Sequence, residues 1–389
     1  MTLDIRKLVE KHNSSVIELR RYFHTYPELS GQEYNTQKKI MSELQELGLS
    51  PRAAANTGVI VEIEGAFPGK TIALRADMDA LKLQDEITKP YRSKNHGVCH
   101  ACGHDGHIAM LVGIAKVLYE IKGQMAGKIR LLFQPSEEEF PGGAQQLIKE
   151  GALVGVDAII AAHLWQTVEA GTIGVSYGRL MASPDEFTIT IKGRGGHGSM
   201  PHQTIDPILV GAQIVISLNT IISRNIDPME NAVVSLGLFK SGEVFNVIPD
   251  TAVLKGTVRS FDQNIRLQIF ERIEKIARGI GQAAGAEVIL DKVLGFGPVV
   301  NHPEIVKEVV QAAKEVISPD KIIEIKPVMG GEDFSCYLEK VPGMMVFVGS
   351  GNEQKNITFP HHHPKFDIDE SVLSLGMEIM LRTALNLAK

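Results

Sequence analysis

Residues 129–139 read IRLLFQPSEEE. The apolar run Ile129–Phe133 is short and bounded by turn residues, so it reads as a buried strand. It runs through Gln134-Pro135-Ser136 into three consecutive carboxylates, Glu137, Glu138 and Glu139. Polar groups at the carboxyl end of a buried strand lie where an α/β fold presents its ligand crevice.

Working outward, Val59–Ile63, Thr71–Leu74 and Ala158–Ala162 are similar apolar runs between Gly and Pro, with helical stretches at His107–Ile121 and Gly143–Glu150. Strands alternating with helices predict an α/β core with a mostly parallel sheet. Residues 3–48 read as helix, broken where Pro27 disfavours helix at Tyr26 and ended at Gly48. From 185 to 292 the pattern changes. Strand Glu186–Lys192, helix Asp206–Ser223, strands Ala232–Phe239 and Ala252–Val258, helix Gln263–Ala284 and strand Glu287–Val293 follow in turn. That order is a ferredoxin-like split βαβ unit. The expectation is a catalytic domain of residues 1–184 and 293–389, interrupted by an inserted α+β domain at 185–292.

The 389 residues suit about two domains. The chain is 44% hydrophobic and 22% charged, with a net charge of −6 and no basic patch, which argues against nucleic acid. No run reaches the ~20 apolar residues of a membrane span, and the charged N-terminus lacks a signal-peptide core. A cytoplasmic location is expected. Three cysteines (Cys99, Cys102, Cys336) are too few for a disulfide scaffold.

Residues 96–107, HGVCHACGHDGH, hold four histidines, two cysteines and an aspartate. Thiolate and imidazole are the donors that zinc and similar cations prefer. Cys102 and His104, two apart around Gly103, can face one cation, and a structural zinc module or a Cys99–Cys102 redox pair is the competing reading. Asp77 and Asp79 follow the strand Thr71–Leu74 and, two apart, point to one side. They can ligate metal or orient a ligand imidazole. His163 follows a fourth apolar run beside Trp165, the only tryptophan, and His361-His362-His363 lies near the C-terminus. Alone, each reads as an ordinary histidine. Because parallel strands converge at their carboxyl ends, the groups together predict a metal site.

The motifs His100-Ala101-Cys102-Gly103-His104-Asp105-Gly106-His107, Arg75-Ala76-Asp77-Met78-Asp79-Ala80-Leu81, Gln134-Pro135 through Glu138, Gly196-His197 to Pro201-His202, Asn246-Val247-Ile248-Pro249 and Gly330-Gly331-Glu332-Asp333-Phe334 resemble those of the aminoacylase-like metallo-amidohydrolases and metallopeptidases. So do Leu19-Arg20-Arg21 to His24, Pro27, Glu28 and Glu33, and His362 to Asp367. The similarity runs nearly end to end. It is strongest to the branch of hippurate hydrolases, auxin-conjugate hydrolases and N-acetyldiaminopimelate deacetylases. The resemblance implies a metallo-exopeptidase-like catalytic domain in which Cys102, His104, Glu138, His163 and His362 hold two divalent cations, with Cys102 bridging. It implies Glu137 as general base and acid, supported by Asp77 and Asp79. The inserted domain is implied to act as a lid, to form a homodimer, and to offer His197 and Asn246 to substrate, while Gly330 and Gly331 line the pocket. Arg259 is a second candidate anchor for a substrate carboxylate, though a strand arginine at the surface is the plainer reading. Cys99 stands where relatives carry Met, Lys82 replaces a Pro, and Glu139 replaces a Gly.

The expected reaction is hydrolysis of the amide of an N-acetyl or N-aroyl amino acid. Glu137 takes a proton from water and returns it to the leaving amine, and His197 steadies the oxyanion. Zinc or manganese leads, and cobalt and nickel also tolerate N, O and S donors. The alternatives are a dipeptidase or other exopeptidase of the same family, a non-catalytic metal binder, and a thiol-redox protein.

Overall fold

A computed structural model describes residues 3–389, which divide into two compact units. The first comprises the chain up to Leu180, Val300–Lys326 and Asp333–Lys389. The second comprises Met181–Val299 and the short segment Pro327–Glu332.

In the first unit, apolar runs make an eight-stranded sheet. Its four central strands, Ala126–Gln134, Phe67–Asp77, Ala158–Glu169 and Gly343–Gly351, are mutually parallel neighbours in that order. Gly58–Glu64 adds antiparallel beside Ala126–Gln134, followed by Arg52–Ala54. On the other side Ile173–Val175 runs antiparallel to Gly343–Gly351 and carries Ile322–Glu324 parallel to itself. The sheet is therefore mixed but mostly parallel. Gly343–Gly351 and the first half of Ala158–Glu169 are buried on both faces, whereas Ala126–Gln134 alternates at its start, with Lys128 and Arg130 reaching the surface before the strand turns wholly apolar.

Helices Ile5–Thr25, His104–Ile121 and Leu373–Leu387 pack together and contribute to one apolar core with the sheet. His104–Ile121 is buried along almost its whole length, which is why its sequence is apolar all round rather than on one stripe. Helix Ile5–Thr25 ends two residues before Pro27, with Tyr26 as its cap, and the next helix, Tyr34–Glu46, stops short of Gly48. Asp4 caps the first helix through the Lys7 backbone N–H.

The second unit is a four-stranded antiparallel sheet in the order Ala232–Ser241, Thr251–Ser260, Ser183–Lys192, Glu287–Leu294. Helices Pro207–Leu218 and Gln263–Ala284 pack on it, burying Phe187, Ile189, Val210, Ile214, Leu254, Ile269 and Phe270 in a core of their own. This is the ferredoxin-like arrangement. Asp206 and Asp262 cap the two helices, and Pro207 occupies the first helical position of one, where its missing N–H costs nothing. The long helix read as 206–223 is two helices, Pro207–Leu218 and Thr220–Asn225, meeting at Asn219. Among the described residues, no helix is long and apolar enough to cross a membrane.

Candidate metal centre

Three parallel strands of the first unit deliver the polar groups to one place. Strand Phe67–Asp77 delivers Asp77 and then Asp79, strand Ala126–Gln134 leads to Glu137 and Glu138, and strand Ala158–Glu169 carries His163. Cys102 and His104 arrive on the turn that starts helix His104–Ile121. Gly103 between them has φ +91°, a conformation that costs a side-chain-bearing residue but not glycine. The helix starts three residues earlier than the sequence suggests, so His104 and His107 stand on one face of its first turn.

Two sets of donor atoms share Cys102. Cys102, His104 and His163 form one, Cys102, Glu138 and His362 the other, each with its donor atoms within 4.8 Å of one another. His163 Nε2 lies 3.6 Å from Cys102 Sγ. His362 Nε2 lies 3.3 Å from Glu138 Oε1 and His104 Nε2 3.9 Å from the same oxygen. His361, the neighbour in sequence, is instead directed at the backbone: its Nε2 lies 3.0 Å from Leu164 O, and its ring packs on Trp165. Glu137 falls in a third set with His104 and Glu138 and is nearly buried.

The surroundings set each ring's orientation. His104 Nδ1 is 2.9 Å from Asp79 O, so it donates there and turns the Nε2 lone pair inward. His163 Nδ1 likewise faces a backbone oxygen, Leu164 O at 3.0 Å. Asp79 Oδ2 accepts from the Glu138 backbone N–H at 3.0 Å and from Ser30 Oγ at 2.6 Å. Asp77 is fixed by Arg75 on one side and by His107 Nδ1 at 2.6 Å on the other, and His107 Nε2 accepts from the Leu164 N–H at 2.8 Å. His107 thus ties the Asp77 strand to the His163 strand. Its position three residues after His104 is the one sequence signal for this role.

Glu33 is a second group whose place the sequence did not show. It is fully buried, and its carboxylate accepts from Ser136 N, Gly31 N and Thr57 Oγ1 at 2.9, 3.0 and 2.6 Å. Ser136 has φ +53°, so the turn that leads into Glu137 and Glu138 is held in a left-handed conformation by this carboxylate.

The charge balance favours a cation. Burial alone makes a charged imidazole costly, yet Asp77, Asp79 and Glu138 outweigh it and raise His104 to about 10. Burial, with Glu138 and Glu137 close by, pushes the Cys102 thiol well above its ordinary range. His163 is held well below its usual pKa by burial and by His107 and His361, so it is a neutral donor. His104 Nε2 and Glu138 Oε1 are buried without a hydrogen-bond partner. Two orphaned donors inside a Cys/His/carboxylate set fit divalent cations.

The second unit holds the other candidates. His197 and Asn246 lie side by side on a two-stranded ribbon, where Val247 pairs with His197 and the Gly198 N–H donates to Asn246 O at 2.9 Å. Arg259, half-buried, turns its guanidinium onto its own surroundings, with Nη1 donating to Val258 O at 3.0 Å and to Thr257 Oγ1. At Gly331 a Cβ would stand 2.4 Å from Pro184, so the segment Pro327–Glu332 lies too close for a side chain there, and at Gly330 a Cβ would stand 3.2 Å from Met181. Cys99, Cys102 and Cys336 are all free thiols.

Residues 73–386 match the model of peptidase family M20/M25/M40. The chain is 46% identical over 302 residues to an N-acyl-L-amino acid amidohydrolase of Geobacillus stearothermophilus, covering 77% of this chain and 82% of that protein. It is 41% identical to thermostable carboxypeptidase 1 of Saccharolobus solfataricus, covering 93% and 92%. The solved structure of the Bacillus subtilis YXEP protein, described as a dinuclear metal-binding peptidase, superposes with a TM-score of 0.85 at 36% identity, covering 97% of this chain and 99% of that one.

Proposed function

The chain belongs to peptidase family M20/M25/M40, and from that membership we propose that it is a metal-dependent amidohydrolase releasing the amino acid from N-acyl amino acids. The observation that carries this reading is the pair of donor sets sharing Cys102, with Glu137 next to the ligand Glu138. We assign Cys102, His104 and His163 to one divalent cation and Cys102, Glu138 and His362 to the other. Bound cations supply Lewis acidity toward the acyl carbonyl and make water easier to deprotonate.

Glu137 takes the proton of the attacking water and later delivers it to the leaving amine. Asp79 fixes this pair from behind, through the Glu138 N–H and His104. Asp77 serves the same end through His107. His197 is assigned as a donor to the developing oxyanion, and Asn246 as a polar anchor for the substrate carboxylate. Arg259 is the weaker candidate anchor for that carboxylate, and Gly330 and Gly331 are assigned to the lining of the substrate pocket. Zinc or manganese is the expected metal, with cobalt and nickel as substitutes. A cytoplasmic homodimer is the expected form. The edge strand Ala232–Ser241, with Leu238 and Phe239 exposed, and Ile208, Leu209 and Ile216 exposed on helix Pro207–Leu218, support pairing of two second units.

The Saccharolobus relative's name favours a second reading, an exopeptidase. The chemistry is the same, since a C-terminal residue of a peptide is itself an N-acyl amino acid. A panel of N-acetyl and N-benzoyl amino acids and of dipeptides, assayed with chelated and with metal-reconstituted protein, separates the two. Metal-dependent release from acyl amino acids over dipeptides is expected. Turnover that survives complete metal removal would overturn both readings.

A further inference from the structure

A second cluster of metal donors lies within the first unit, built from groups the hydrolytic mechanism does not use. His24, Asp85 and Cys99 place an imidazole nitrogen, a carboxylate oxygen and a thiol sulfur within 4.8 Å of one another, with all three residues buried. Three separate segments supply them: the last turn of helix Ile5–Thr25, the loop after Asp79, and the first half of the 96–107 motif. The segments are locked together by reciprocal backbone hydrogen bonds, Leu81 N–H to Cys99 O and Cys99 N–H to Leu81 O, each 3.0 Å.

The geometry is that of a ligand set already oriented. His24 Nδ1 lies 2.7 Å from Asp105 Oδ2 and donates to it. This leaves Nε2 facing inward, 3.4 Å from Asp85 Oδ2, fully buried and without a hydrogen-bond partner. A carboxylate behind the outer nitrogen is how proteins fix a metal-binding imidazole. Nitrogen and oxygen ligands each about 2.0 Å from a tetrahedral zinc stand about 3.3 Å apart, close to the separation observed. Asp85 is itself held by the Ile87 and Ser93 N–H groups at 2.9 and 2.8 Å.

The charges point the same way. Asp105 is neutralised by Arg20, whose Nε is 2.8 Å away. Arg92 donates to the Asp85 backbone oxygen, at 3.0 Å, and among the described residues His24 is the basic group within ion-pair distance of the Asp85 carboxylate. Either a proton on His24 or a cation must balance this buried carboxylate. Burial and Arg20, whose Nη2 is 3.3 Å from His24 Nδ1, oppose a proton there, but Asp105 and Asp85 outweigh them, so a cation at Nε2 takes the place of that proton and engages the adjacent Cys99 thiol as well. We propose that His24 Nε2, Asp85 Oδ2 and Cys99 Sγ bind one further zinc-class divalent cation, structural rather than catalytic, buried at the foot of the 96–107 segment. Its binding releases the Cys99 proton and any proton on His24.

Cobalt(II) tests this, because a thiolate ligand gives it a near-ultraviolet charge-transfer band. The full chain is loaded with cobalt as the Cys102→Ala variant, which removes the thiol of the hydrolytic centre. The band is expected to persist there. In Cys102→Ala/Cys99→Met it is expected to vanish, and bound cobalt to fall by one per chain, with Cys336 still present as the internal control. Cys99→Met alone, a volume-tolerant exchange checked for folding by circular dichroism, is expected to lose one cation per chain as well. Absence of the band in Cys102→Ala, its survival in the double variant, or an unchanged metal count in folded Cys99→Met overturns the site. None of these outcomes depends on turnover, so they stand apart from the hydrolytic assignment.

Discussion

Glu137 and Glu138 are neighbours whose surroundings separate them. The Glu138 N–H is bound by Asp79 and its side chain faces His362 and His104, while Glu137 carries the proposed proton transfers. Glu137→Gln is expected to lower kcat by about 10²–10⁴-fold with metal content unchanged, read by steady-state kinetics alongside elemental analysis. If kcat stays within threefold or so, the assignment of the base is wrong. Glu138→Ala is expected to lose metal instead. Glu33 supports both from beneath the Ser136 turn. Glu33→Ala strips a partner from buried donors and is expected to cost about 1–3 kcal/mol of stability and to lower kcat, with Glu33→Gln recovering part of each. Equal loss of stability with full kcat would limit Glu33 to a structural role.

At the scale of elements, a helix start and a helix cap show how local sequence becomes function. His104–Ile121 begins at His104, a proposed metal ligand, and His107 in the same turn braces Asp77, so both ride on the rigid end of a buried helix. Asp369 starts the short turn before Leu373–Leu387 and is nearly buried. It accepts from Ser371 N and Oγ, from Asn352 Nδ2 and from Lys355 Nζ. Burial works to raise its pKa, but those donors prevail and bring it to about 2. A carboxyl depressed on folding contributes stability above its unfolded pKa of about 3.9 and loses it as pH falls toward about 2. The stability advantage of the native chain over Asp369→Asn, measured by denaturant midpoints, is therefore expected to be on the order of 1–2 kcal/mol at pH 5 and to vanish near pH 2. An advantage that holds constant across that range would contradict the cap's charge.

For the whole molecule, the two proposals concern metal and assembly. Because cations bind the folded donor sets only, metal at a hundredfold its Kd stabilises by about 2.7 kcal/mol per site, so chelation is expected to lower Tm in calorimetry and reconstitution to restore it. An unchanged Tm would mean the donors hold no cation. Charges placed on the exposed edge, Phe239→Glu with Ile216→Glu, are expected to shift sedimentation from dimer to monomer. They lie at positions 44% and 71% exposed in the chain, so the monomer's fold has no reason to fail. Sedimentation as a monomer before any substitution would dispose of the dimer.

Local sequence settles the type and order of the main elements, though not the break at Asn219 or the short strands Arg52–Ala54, Ile173–Val175 and Ile322–Glu324. Local periodicity and capping decide those, and they were readable in Ile129–Phe133, Gln263–Ala284 and the 96–107 motif. It also supplied the chemical identities of the donors, because no packing role explains Cys, His and Glu in such patterns. Only the packed structure shows that His361 turns to the Leu164 backbone while His362 faces Glu138, that His107 ties two strands together, and that Glu33 holds the Ser136 turn. It alone brought His24, Asp85 and Cys99, distant in sequence, to one buried point. Those facts depend on strand order and on where segments far apart in the chain meet. Local propensity carries no information about such meetings, because only packing of the whole core fixes them.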